Sequence, residues 1–439
     1  MLSGKEIEFI IENSNANTSK LLLGASKYPD VDVKLCVNCI ESRQKIASKL
    51  PNWHSNPALV YPFPLSAEQC SSEATGEYKK SVIKGIISGC REECTPAVAG
   101  RSKPNGLNLC CGADLTGGMG VDSWFLSQLC SSFHYFERNS ELCRATEYNF
   151  RKLDASNIAV HNIEIDNENI SHLPGAPYDF IFIDPARRSK TDKANKVISL
   201  QDYEPNLIEL KEKLFQQAPI IVAKVSPMAD IKLNLNLLPE TGEIHIVSVD
   251  NECKELLFIL KRDKREEEPK IIATNISSKR TASETVSRNG EESLISKSKI
   301  FEFSFAEEDG AKSTFSTQLG SYLYEPNKSI LKAGAFKLVS ERFNAPKLAP
   351  STHLYTSDSL IEEFPGKIYL VEECIPFSKK TIKEVASKYP KADLTARNFP
   401  LDTNAVKKLS GIKDGGEKHI FATTLNSSEK IIIIASLRK

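Results

Sequence analysis

The sequence predicts an α/β protein: a parallel sheet with crossover helices, preceded by a helical N-terminal region and followed by small α+β domains. Three observations predict it. Apolar residues recur at helical spacing in 6–11 and 34–50. From Gly106 onward, short apolar runs alternate with amphipathic helical stretches, the pattern of strands joined by crossover helices. A nearly all-charged break at 261–270 and a Ser-, Thr- and Lys-rich stretch at 277–299 then separate this part from a shorter mixed region.

Composition bounds the possibilities. The chain has 439 residues with 57 basic and 57 acidic side chains, 40% apolar and 26% charged. That describes an ordinary soluble protein of two or three domains and excludes disordered, collagen-like and disulfide-scaffold chains. A nucleic-acid partner must then be held by a local basic face, since no global positive field exists. The N-terminus does not read as a secretory signal, and no apolar run approaches the roughly 20 residues of a membrane span. Eleven scattered cysteines point to reduced thiols and a cytoplasmic protein. Cys36 and Cys39 have metal-like spacing, but they fall in the helical pattern at 30–50 with no second CxxC or close histidine, so no metal is expected.

Taken in order, the chain divides as follows. Residues 1–95 form the helical region, interrupted by a Pro-rich break at 57–64. Residues 96–262 carry the sheet, with strands expected at 107–115, 133–136, 158–161, 178–183, 220–225, 243–249 and 256–260. The last two are close enough to form an antiparallel pair at the sheet edge. Residues 263–300 are a charged, mobile linker with a strand at 271–276. Residues 301–363 and 364–439 are two small α+β domains, with strands at 299–305, 366–371, 419–425 and 430–437 and helices at 329–342, 378–388 and 398–409.

The first chemical signal is the glycine-rich stretch Asp114-Leu-Thr-Gly-Gly-Met-Gly120, which follows a strand and opens a helix. Thr116, Gly117, Gly118 and Gly120 let backbone amides approach a ligand, and the helix start favours polar or anionic groups. The next strand ends in Glu137, twenty residues after Gly117. A βαβ unit delivers a carboxylate to ribose hydroxyls at this interval. The loop does not fit the G-x-G-x-x-G pattern of dinucleotide sites. It resembles the D-x-G-x-G-x-G loop of class I methyltransferases, with Thr116 in place of the first glycine. That resemblance implies S-adenosylmethionine (SAM) as cofactor, and the Thr116 hydroxyl is expected to bond its carboxylate.

The second signal is Asp184-Pro-Ala-Arg-Arg188 at the end of the fourth strand, where open α/β sheets bind their ligands. It resembles the (D/N)-P-P-(F/Y) motif of amino-methylating nucleic-acid enzymes and the D-P-P-R motif of RNA uracil methyltransferases. Ala186 replaces the second proline, and no aromatic residue follows. Asp184 and the carbonyl fixed by Pro185 would orient an exocyclic amine, and Arg187 or Arg188 would stack on a base or hold a phosphate. The alternative is that both arginines simply form ion pairs on a loop. The fifth strand ends without a thiol and Cys253 is remote, so nitrogen or oxygen methylation is expected rather than carbon methylation.

Most of the chain beyond Cys36 resembles bacterial class I SAM-dependent methyltransferases with ferredoxin-like and THUMP-like C-terminal domains. The blocks that carry the resemblance include Leu65-Ser-Ala-Glu-Gln-Cys-Ser-Ser-Glu73, Tyr322-Leu-Tyr-Glu-Pro-Asn-Lys-Ser329, Lys332-Ala-Gly-Ala-Phe336 and His353-Leu-Tyr-Thr-Ser-Asp358. The resemblance implies a Rossmann-like sheet and methyl transfer. Gln69 and Ser71 either lie over the cofactor pocket or belong to a turn that caps the next helix. Residues 364–439 hold fourteen basic and eight acidic side chains, a net +6 that suits docking on a phosphate backbone. Arg397, Lys407, Lys408 and Lys413 are the candidate RNA contacts. The leading expectation is a methyltransferase acting on a base nitrogen of structured RNA such as tRNA. A small-molecule or protein methyltransferase and an inactive RNA-binding protein are the alternatives.

Overall fold

The computed structural model of the chain describes residues 1–93, 110–187, 200–264, 267–278 and 299–438. They form two compact units. The first contains Met1–Asp250 and Lys254–Glu267; the second contains Asn251–Cys253, Glu268–Asn275 and the residues from Lys299 onward.

The first unit opens with helices α1 (Gly4–Glu12), α2 (Thr18–Leu23), α3 (Val33–Ile46), α4 (Pro51–Ser55), α5 (Pro64–Gln69) and α6 (Glu73–Glu93). Their boundaries follow local chemistry. Ser3 and Glu6 form a capping box on α1, Asp32 caps α3, and α4 and α5 each begin with proline, whose missing N–H costs nothing in a first turn. Cys36 and Cys39 are buried in α3 within the core built around Ile10, Ile40, Trp53 and Tyr61.

The sheet follows. Its elements are β1 (Cys111–Asp114), α7 (Val121–Ser127), β2 (Ser132–Phe136), α8 (Ser140–Lys152), β3 (Ile158–His161), β4 (Phe180–Ile183), a short ribbon of β5 (Ala186–Arg187) and β6 (Tyr203–Glu204), α9 (Leu207–Gln217), β7 (Ile220–Val225), α10 (Ile231–Leu237), β8 (Thr241–Val249) and β9 (Glu252–Lys261). Among the described residues of this unit the strand order is β8-β9-β7-β4-β1-β2-β3. β3, β2, β1, β4 and β7 run parallel, and β9 is antiparallel to β7. β4 is buried along its whole length and β7 at all but Lys224, as strands covered by helices on both faces must be. The order reverses between β1 and β4, which opens a crevice beyond their carboxyl ends. β8 and β9 meet at Asp250 and Asn251, both with positive φ, the geometry of a two-residue hairpin.

The second unit holds β10 (Lys270–Ile276), β11 (Lys299–Phe303), α11 (Phe305–Gly310), β12 (Tyr322–Pro326), α12 (Lys328–Ala333), α13 (Phe336–Arg342), β13 (Lys347–Ala349), β14 (Thr352–Ser357), β15 (Gly366–Pro376), α14 (Lys379–Lys388), β16 (Asp393–Arg397), α15 (Thr403–Ser410), β17 (Lys418–Thr424) and β18 (Lys430–Leu437). β10 and β11 pair antiparallel, and a seven-stranded sheet runs β13-β14-β12-β15-β18-β17-β16. α14 and α15 cover one face of its last strands through Ile382, Val385 and Val406 packed on Ile420, Ile432 and Ile434.

Several expectations shift. The single helix read over 329–342 is two, because Gly334 adopts φ +82 and ends α12. The helix read from residue 398 starts at Thr403, capped by Asp402, and Asn398 has positive φ. Most of the linker read over 263–300, the start of the strand read over 107–115, and Arg188 lie outside the described residues.

Candidate functional site

A cavity of about 760 Å³ opens at the carboxyl ends of β1, β2, β4 and β7. Its wall combines Asp114, Thr116, Gly117, Gly118, Glu137 and Asp184 with Gln69 and Ser71 from the helical region. Sequence reasoning named these eight separately; the fold brings them to one space. Gly120 and Pro185 are not on that wall.

The glycine loop is shaped by close packing. A Cβ on Gly117 would stand 2.0 Å from the Tyr135 ring, and one on Gly120, at φ +81, would meet Thr146 at 2.6 Å and Phe150 at 2.7 Å. Gly118, at φ +55, would place a Cβ 3.7 Å from Thr116 O, and its N–H donates to Glu137 Oε2 at 3.0 Å. Glu137 Oε1 accepts from Asn139 N–H at 2.7 Å, so the acid at the end of β2 is locked to the loop it faces.

Asp114 is buried. Its Oδ1 accepts from Thr116 N–H at 3.0 Å and from the Thr116 hydroxyl at 3.4 Å, and its Oδ2 accepts from Ser123 Oγ at 2.6 Å. Burial pushes its carboxyl up to about 7, against those hydrogen bonds and helped by the charges of Asp122 and Asp184. Thr116 is committed elsewhere than expected: its hydroxyl oxygen accepts the Asp184 N–H at 2.6 Å. It ties β1 to β4 instead of waiting for a ligand carboxylate.

Asp184 carries a further partner that sequence reasoning missed. Lys224 Nζ, on β7, donates to Asp184 Oδ2 at 2.5 Å and to Ser71 Oγ at 3.4 Å, and lies 3.7 Å from Asp122 Oδ2. Asp122 accepts from Ser71 Oγ at 2.7 Å and pairs with the buried Lys79 at 3.1 Å, which in turn grips both oxygens of Glu255 at 2.8 Å. Burial works against charge on Lys224, yet Asp184, Asp122 and Glu255 hold its ammonium firmly protonated. Burial raises the Glu255 carboxyl despite Lys79, while Lys79 and Lys224 outweigh burial at Asp122 and lower it. The available signal was a lysine inside the apolar run Ile220-Ile-Val-Ala-Lys-Val225, since lysine is rarely buried without a partner.

The two readings of 69–73 fall on neighbouring residues. Ser72 Oγ accepts from Thr75 N–H at 3.2 Å and caps α6, whereas Ser71 turns to the buried charges. Cys70, also unanticipated, lines the cavity; burial raises its thiol and its Sγ donates to Ala67 O, so it is poorly suited to act as a thiolate. Phe63 and Leu65 at the start of α5 add an apolar wall, and Leu65 is exposed. Arg187 sits in the β5–β6 ribbon opposite Tyr203. Cys253 lies on β9 and does not line the cavity.

The C-terminal candidates separate. Arg397 Nη2 bonds the buried Glu325 at 2.9 Å, and Lys407 pairs with Asp414, so both are engaged within their own unit. Lys408 and Lys413 are exposed, as are Lys379, Lys380, Lys383 and Lys388 on α14. Among the described residues, no group of three or more His, Cys, Asp or Glu side chains is arranged to hold a metal ion, and no helix is long and apolar enough to cross a membrane.

No curated protein matches the chain. Residues 322–365 match a ferredoxin-like domain family and residues 366–437 a THUMP domain-like family. Among solved structures, a protein from Porphyromonas gingivalis W83, provisionally described as a methyltransferase, matches with a TM-score of 0.79 at 29% identity, covering 100% of both chains. An rRNA methylase from Streptococcus thermophilus covers 35% of this chain and 88% of its own at 15% identity, with a TM-score of only 0.27. The chain is thus an α/β protein with a methyltransferase-type Rossmann-like sheet behind a helical N-terminal region, followed by ferredoxin-like and THUMP-like domains.

Proposed function

We propose that the chain is a SAM-dependent methyltransferase acting on a base nitrogen of structured RNA, tRNA being a suitable substrate. The observation that carries this reading is the convergence of the glycine loop, Glu137 and Asp184 on one cavity at the switch point of the sheet. Its volume lies within the usual range of about 300–1,000 Å³ for small-molecule sites.

The residues present fit the cofactor. Glu137 offers carboxylate oxygens for ribose hydroxyls, Gly117 and Gly118 line the cavity without side chains, and the buried Phe136, Leu142 and Ile165 give an apolar flank for a purine. SAM, when bound, supplies an electrophilic methyl group. The protein's part is to bind, orient and exclude water. Asp184 accepts a hydrogen bond from the acceptor amine and stabilises the positive charge that grows there. The adjacent Pro185 is buried, and Arg187 or Arg188 is the candidate to hold a phosphate or stack on a base. α5, with Phe63, Leu65 and Gln69, shields the cavity.

The THUMP-like domain supports RNA as the acceptor, and its exposed lysines suit phosphate contact. A second reading, a small-molecule or protein amine, is favoured by Glu204 and Glu209 on the same wall as Asp184, which would welcome a cationic acceptor. Mass spectrometry of RNA nucleosides from cells with and without the gene separates the two. One methylated base should disappear with the gene, and Asp184→Ala should fail to restore it while Cys253→Ser succeeds. An unchanged nucleoside profile would favour the amine reading; covalent trapping of RNA on Cys253 would replace nitrogen methylation by carbon methylation.

A further inference from the structure

We propose that Thr116 and Lys224 are positioning residues that fix Asp184 before any substrate arrives, one at its backbone and the other at its carboxylate. The proposal rests on the reading of Asp184 given above and extends it to two side chains outside the recognised motif.

Asp184 leaves the end of β4, where its N–H no longer has a place in the strand ladder. The Thr116 hydroxyl accepts that N–H at 2.6 Å and directs its own proton toward Asp114 Oδ1, whose second oxygen is held by Ser123. The hydroxyl therefore has one orientation, with a donor on one side and an acceptor on the other. Glycine at position 116 would leave the Asp184 N–H without this partner. The departure from the glycine pattern thus links the cofactor loop to the acceptor loop.

Lys224 completes the clamp. β7 lies beside β4 with Ala223 opposite Ile183, so the next residue of each strand emerges at the same end of the sheet. Its ammonium meets Asp184, Ser71 and Asp122, and Asp122 is itself held by Ser71 and Lys79, with Glu255 behind. Charges alternate along this row, from Glu255 through Lys79, Asp122 and Lys224 to Asp184. Removing an inner member would leave a buried neighbour short of a partner, so the row resists rearrangement. With Oδ2 taken and Oδ1 unbonded among the described residues, Oδ1 is the oxygen left for the acceptor amine, and its direction is set in advance.

The test uses the full chain, radiolabelled SAM and total RNA from cells lacking the gene, with S-adenosylhomocysteine affinity measured by calorimetry. Lys224→Met should lower kcat about a hundredfold, with KM and cofactor affinity changed no more than about threefold, as loss of preorganisation predicts. Lys224→Arg and Thr116→Ser should recover most of the rate. In an Asp184→Asn background, Lys224→Met should cost nothing further. An undiminished rate, or equal loss in both backgrounds, overturns the proposal. If the wild-type chain labels no RNA, the RNA reading fails instead, and crystal structures of Lys224→Met and Thr116→Gly decide. Asp184 displaced from its rotamer upholds the clamp; Asp184 unmoved in both overturns it.

Discussion

Asp114 closes β1 with its carboxyl wholly inside the protein, and its behaviour with pH follows from that. Burial raises it to about 7 in the folded chain from an unfolded value near 3.8, so over that interval the folded state binds more protons. Stability must therefore fall as pH rises from about 4 to 7, by about 1.4 kcal/mol per unit of difference. Asp114→Asn keeps an acceptor for Thr116 N–H and removes the titration. The difference in urea midpoint between variant and wild type should grow in favour of the variant across that interval and level off above it; a constant difference would contradict the assignment. Asp114, Glu137 and Asp184 were legible because each terminates a strand in a local motif. Lys224, Lys79, Asp122 and Glu255 were not, because they meet only when α6, α7, β7 and β9 are assembled, and no spacing along the chain announces a contact between residues 79 and 255.

The β1–α7 loop owes its path to glycine at two places where a side chain has no room. Gly117→Ala would drive a methyl group into the buried Tyr135 ring, whose hydroxyl donates to Gly118 O at 2.6 Å. We expect a loss of stability of about 1–3 kcal/mol by overpacking, together with weakened SAM binding. Thermal melts with and without SAM check this: a variant with unchanged melting temperature and an unchanged SAM-induced shift would show that the loop does not need this close packing. β4 and β7 were legible as apolar runs because burial on both faces leaves little choice of residue. Helix ends were less so. The break between α12 and α13 depends on one glycine turning to positive φ inside a periodic pattern, and periodicity alone runs straight through it. Likewise α5 follows the Pro-rich break at 57–64, and its place on the cavity wall comes from packing of the helical region.

Net charge suggested a basic C-terminal region, but the fold decides which charges are offered to a partner. Arg397 and Lys407 are partly buried and paired within their own unit, whereas Lys408 and the α14 lysines, of which Lys380 and Lys388 pair with glutamates, face solvent. If this helical layer docks on RNA, affinity should fall steeply with salt, and replacing Lys380, Lys383 and Lys408 by Ala should reduce the slope of log K against log salt by up to about 3. Arg397→Ala should instead lower stability, since it leaves the buried Glu325 carboxylate short of its partner. Filter binding over a salt series checks both, and a slope unchanged by the triple variant would remove this face from consideration. The central claim is that the cavity holds SAM through the glycine loop and Glu137, and calorimetric titration of SAM into the wild-type chain and into Glu137→Ala tests it most directly. The wild type should show saturable one-site binding, weakened about tenfold or more in the variant through loss of charge-assisted hydrogen bonds. Absence of binding by the wild type, or equal affinity in the two proteins, would contradict it.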